Sequence, residues 1–142
     1  NISRKMFLLR ILLVSGALGW GISVLAVIMP WNIAENALEG FGAESLHYCP
    51  MFDYWLRMAG GAFTMIGIMF AVTAIRPLKY ITLIPLLGYL NIFEGGILLF
   101  YGMKLGLKPF PFYSDASFCL LIGTGIIILG RKLAQNMEFS DK

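Results

Sequence analysis

Glu94 is the residue of this sequence that most invites a chemical reading. It lies in the apolar segment 79–103, some nine residues from the end of that run. At the rise of an α-helix nine residues correspond to about 13 Å of depth. An ionised, solitary carboxylate at that depth in a bilayer is costly, so it must face the interior of a bundle, take up a proton or find a cation. Asn91, Leu98 and Tyr101 share its helical face at spacings of three and four residues.

The cation in the same half of the chain's apolar segments is Arg57, about one turn into the run 54–75, whose long side chain can turn inward or snorkel to an interface. Asp115, at the start of the run 114–130, is a second polar group at the same level. These residues give a candidate ligand-binding or polar cluster of Arg57, Asn91, Glu94, Tyr101 and Asp115, enclosed by helices. A purely structural alternative pairs Arg57 with Glu94 to fix helix register.

Other reactive residue types are sparse. His47 is the sole histidine, too few for a two-histidine haem site, and no Cys, His or carboxylate group at metal-ligand spacing surrounds it. Cys49 and Cys119 fall on the same side and form a candidate disulfide if the loop folds over the bundle, but no CxxC redox pair occurs. The glycine pairs Gly60-Gly61, Gly95-Gly96 and Gly123-Thr124-Gly125 sit inside apolar runs, where close helix packing rather than phosphate binding is the ordinary reading. No catalytic constellation, metal site or cofactor signature is present, which disfavours an enzyme. The eight methionines and eleven phenylalanines suit lipid contact, core packing or an adaptable pocket alike.

The elements that must position these residues are long apolar helices. Of 142 residues 58% are apolar and 13% charged, and the mean hydropathy of +0.78 is far above that of a soluble domain. In lipid, backbone polar groups must be satisfied within the segment, which leaves helices or a closed barrel. The runs lack the alternation of barrel strands. They occupy residues 7–29, 54–75, 79–103 and 114–130, predicting an all-α, four-span bundle that uses the whole chain as one domain. The basic start resembles a signal peptide, yet the first run is long enough to span and lacks a clear cleavage site before Pro30, so it reads as a retained span.

Between the first two runs, Ile33, Ala34, Ala37, Leu38 and Phe41 share one helical face, which predicts a short helix lying along the interface. The few residues around Arg76-Pro77 predict a tight antiparallel hairpin of the second and third spans. Ser114 or Asp115 is placed to cap the fourth helix. The polar tail from Gln135 is expected to fray.

Arg4, Lys5, Arg10, Arg76, Lys79, Arg131, Lys132 and Lys142 fall on one side, against Lys104 and Lys108 in the loops opposite. By the positive-inside rule both termini face the cytoplasm. Trp31, Tyr48, Tyr54, Trp55, Tyr101 and Tyr113 then form an aromatic belt at the other interface. The net charge of +3 is spread over helix ends, without basic stripes interleaved with stacking aromatics, which argues against nucleic acid.

The order of elements resembles the small four-helix bacterial membrane proteins of the DoxX-like type. The likeness lies in the basic start, Pro30 and a short helix after the first span, Arg57-Met58-Ala59-Gly60-Gly61 near the start of the second span and Arg76-Pro77 closing it. That resemblance implies a bacterial inner-membrane bundle and transfers no catalytic residue. Asn91-Ile92-Phe93-Glu94-Gly95-Gly96 and the Cys49 loop lie outside the pattern.

Three functional classes fit. The leading one is a non-enzymatic protein in contact with membrane lipid that binds a small amphipathic molecule or serves as an accessory subunit, as a homo-oligomer or within a larger membrane complex. The second is a proton- or cation-coupled transporter or oligomeric channel using Glu94. The third is a membrane enzyme acting on lipid or quinone, with Glu94 as acid or base and Arg57 as an anion clamp.

Overall fold

The computed structural model describes residues 2–45 and 47–138. Six helical segments follow one another: α1 (Ile2–Gly21), α2 (Val24–Ile28), α3 (Trp31–Gly40), α4 (Pro50–Ile75), α5 (Ile84–Lys104) and α6 (Pro109–Glu138). Among the described residues four helical stretches are long and apolar enough to cross a membrane, namely Ile2–Ile28, Pro50–Ile75, Ile84–Lys104 and Pro109–Asn136. Their outward side chains are apolar too: Leu18, Met65, Phe93 and Leu121 are all more than 60% exposed. Such a surface is unsuited to water and suited to lipid, and the chain is a multi-pass membrane protein.

The helix bounds extend or shorten the sequence expectations for physical reasons. The first span begins at Ile2, ahead of the apolar run, because Arg4, Lys5 and Arg10 are good helix formers. It is interrupted after Gly21, where Ser23 N–H bonds Trp20 O and Ala26 N–H bonds Ser23 O, shifting the ladder to i→i−3. Pro50 opens α4 at a position where its missing N–H is harmless. Ser114 is no cap: the backbone of Phe110 is non-helical (φ −92°, ψ 133°), the regular part of α6 follows it, and the Ser114 hydroxyl donates to Pro111 O at 2.6 Å. Residues 135–138 continue α6, and Lys142 lies outside the described residues.

Helix packing departs from the expected hairpin. Among the described residues, α5 packs most extensively on α6, α1 packs on α4 and α6, and α2 on α4, while α4 and α5 lack a comparable close backbone approach. Residues 76–83 form successive turns, so the connection is longer than the Pro77 breaker suggests and lets the two helices stand apart.

Small residues close the seams that do form. A Cβ built on Gly67 would lie 2.6 Å from the Gly21 nitrogen, so α1 and α4 cross with their backbones nearly touching. On the other side, a Cβ on Gly88 would meet Gly123 O at 2.8 Å and one on Gly123 would meet Gly88 O at 2.7 Å. Leu9, Leu13, Phe70, Ile84, Ile126 and Leu133 fill the core between these seams. The predicted short helix is present as α3, although only Ala34 of its apolar face is buried, and Ile33 and Phe41 remain half-exposed.

Candidate functional site

Arg57 is held by its own half of the molecule. The carbonyl of Ala26 would bond the N–H of residue 30 in a continuing helix, but residue 30 is Pro and has none. Arg57 Nη1 takes that role, donating to Ala26 O at 3.0 Å, Val27 O at 3.1 Å and also Met29 O. Its Nε donates to Asp53 Oδ1 at 2.9 Å, one turn back on α4. A cation at the carbonyl end of α2 is also favoured by the helix dipole. Arg57 therefore clamps α2 to α4. Among the described residues its ion pair is with Asp53, and no Arg57–Glu94 pair forms.

Glu94 borders open space instead. It lines a chamber of about 460 Å³ together with Asp115, Ser114 and Cys119 of α6, Trp20 of α1 and Phe63 of α4. Phe110 and Phe41, whose rings lie 6.0 Å apart, add apolar walls from the α6 start and the end of α3. A second cavity of about 250 Å³ lies between α4 and α5. Trp20, Phe63 and Glu94 belong to both linings, so this carboxylate stands at the junction of the two spaces. Among the described residues Glu94 has no ion pair.

Asn91 sits one turn before Glu94 and lines the second cavity. Its Oδ1 accepts from Trp20 Nε1 at 3.0 Å, a bond that joins α1 to α5 across the gap. Its Nδ2 is buried and has no hydrogen-bond partner among the described residues.

Of the five sequence candidates, then, Glu94 and Asp115 share the larger chamber, and Asn91 and Glu94 share the smaller. Arg57 and Tyr101 line neither. Tyr101 is half-exposed, with its ring 5.2 Å from Phe100 and Lys104 above it at 5.7 Å, an interfacial arrangement rather than an interior one. The candidate disulfide is not formed, since Cys49 and Cys119 are free thiols. Cys119 is buried on α6, where a Cβ on Gly95 would meet its own Cβ at 3.0 Å. No group of three or more His, Cys, Asp or Glu side chains suited to a metal occurs among the described residues.

Trp20 is a further contributor to the site, and its role is not marked by any local sequence pattern. A buried tryptophan N–H seeks an acceptor, and that of Trp20 lies 71 positions away.

The arrangement offers two carboxylates and one amide N–H to an occupant of otherwise aromatic and aliphatic spaces. Such a site suits hydrogen bonding and proton exchange with an occupant, and Ser114 and Cys119 line the same chamber. The chain matches no protein family, no curated protein and no solved structure.

Proposed function

We propose that this membrane protein binds a small amphipathic molecule within its bundle, its polar group directed to Glu94 and Asp115 and its apolar part against Trp20, Phe63, Phe110 and Phe118. The carrying observation is the chamber of about 460 Å³, where two acidic residues interrupt an apolar lining. A few placed polar groups in a largely apolar cavity are the usual features of a small-molecule site. The same chain serves by itself, as a homo-oligomer or as an accessory subunit of a larger membrane complex. Extraction with native lipids followed by mass spectrometry tests the reading: a molecule retained at reproducible stoichiometry supports it, and its consistent absence counts against it.

The position of Glu94 on both cavities favours a second reading, transit of a proton or cation past this carboxylate. Liposome flux should then fall in Glu94→Gln, and equal flux in the two proteins removes Glu94 from any such path.

The setting in this proposal is a bacterial inner membrane with both termini cytoplasmic, supported by the lysine and arginine asymmetry and by the half-exposed or more exposed rings of Tyr48, Tyr54, Trp55, Tyr101 and Tyr113. With Cys49 and Cys119 replaced, single cysteines near Glu44 and Lys108 should label from outside and one near Lys79 from inside. Labelling of all three from one side contradicts this topology.

A further inference from the structure

The crevice between α4 and α5 narrows the chemistry of the bound molecule, resting on the binding role proposed above. Asn91 is only 3% exposed, and among the described residues its Nδ2 has no partner although its Oδ1 is engaged by Trp20. A buried N–H left without an acceptor is costly, the more so in a bilayer interior where water cannot substitute. Glu94, three residues on, faces the same crevice with acceptor oxygens and no ion pair among the described residues.

The rest of that crevice is apolar, and Met69, Leu90 and Phe93 on its rim are more than half exposed. Because α4 and α5 lack close backbone packing, the opening faces sideways, where acyl chains would lie.

The pair asks for a head group that accepts from Asn91 and donates to Glu94. An ammonium donates but has no lone pair for the amide. A carboxylate accepts but has no hydrogen to donate, and an ether or ester likewise only accepts. A hydroxyl does both with one oxygen. We propose that the bound amphiphile carries an uncharged hydroxyl on an apolar tail and enters from the bilayer between α4 and α5, its oxygen accepting from Asn91 Nδ2 and its hydrogen donated to Glu94. At that position the head also borders the larger chamber, which shares Glu94, Trp20 and Phe63.

The test is photolabelling of the full chain in phosphatidylcholine nanodiscs with a diazirine-bearing sixteen-carbon alcohol, its methyl ether and the matching carboxylic acid, with crosslinks located by peptide mass spectrometry. The alcohol should mark the segments carrying Met69 and Phe93, and the ether and acid should do so about tenfold less, the size of one lost hydrogen bond. Asn91→Leu should lower alcohol labelling to the level of the ether. Leu90→Trp, which fills the rim and leaves the polar pair intact, should block all three and serves if Asn91→Leu fails to fold. Equal labelling by the three probes overturns the hydroxyl assignment. Alcohol labelling confined to the Phe110 and Phe118 segments overturns the lateral site while leaving amphiphile binding in the larger chamber intact. Labelling at neither cavity above the lipid background defeats both.

Discussion

Arg57 and Glu94 are each embedded in apolar helices, and the two halves of the molecule treat them differently. On the α1–α4 side, Arg57 meets Asp53 and the carbonyls of Ala26, Val27 and Met29, leaving that helix end satisfied. On the α5–α6 side, Glu94 borders two cavities without an ion pair among the described residues, and its neighbour Asn91 keeps a buried N–H unmade. A charged group whose partners are supplied by the fold is part of the scaffold. One whose partners are missing from the fold is available to something else. The two seams repeat the lesson, since α5 and α6 are drawn together through Gly88 and Gly123 whereas α4 and α5 stand apart and leave a crevice.

The largest expected effect is on the scaffold side. Arg57→Ala should cost about 3 kcal/mol, as several charge-assisted hydrogen bonds are lost and the end of α2 is left open. Arg57→Lys should cost roughly half of that, because an ammonium keeps the charge but cannot reach Asp53 and the carbonyls with a planar fork. Thermal unfolding in detergent measures both, and wild-type stability in Arg57→Ala would remove the clamp. Next comes the closed seam: Gly123→Leu should lose about 2 kcal/mol through overpacking against Gly88 and Ile92. Gly96→Ala, where an added Cβ meets nothing within 4 Å, should stay within about 0.5 kcal/mol of wild type. Equal losses at the two glycines would show that the seam is not what holds α5 to α6.

The smallest effects belong to the open side. Glu94→Gln should alter the stability of the ligand-free protein by no more than about 0.5 kcal/mol, since no ion pair is broken. Combined with Arg57→Ala, its effect should add within about 0.5 kcal/mol, as befits residues without a common partner. A coupling well above that in the double-mutant cycle would restore the Arg57–Glu94 link that the sequence suggests and the structure does not form.

Much of the fold is legible in the sequence because the membrane imposes it. Twenty-residue apolar runs must be helices, and the pattern around Ala34 and Leu38 marks a short helix between the first two. The ends of the helices are less legible. Placing the start of the second span at Tyr54 hides Asp53 in a loop, and with it the one-turn spacing that makes Asp53 the partner of Arg57. Residues 79–83 continue an apolar run but form turns, so hydropathy alone starts the third span too early. For the site, the depth of Glu94 and its shared face with Asn91 are readable from spacing. That Asp115, although exposed, borders the chamber with Glu94 while Tyr101 does not depends on how α5 and α6 rotate against each other, and the Trp20–Asn91 bond depends on contact between distant segments. Those are properties of packing, which periodicity does not encode.

The division of labour between the two charges is tested most directly by native mass spectrometry of wild type, Arg57→Lys and Glu94→Gln extracted from the same membranes. Wild type and those Arg57→Lys molecules that remain folded should carry the same bound mass at similar occupancy, whereas Glu94→Gln, though equally stable, should lose most of it. Full occupancy in Glu94→Gln, or loss confined to Arg57→Lys, would contradict the assignment of Glu94 to the ligand and Arg57 to the scaffold.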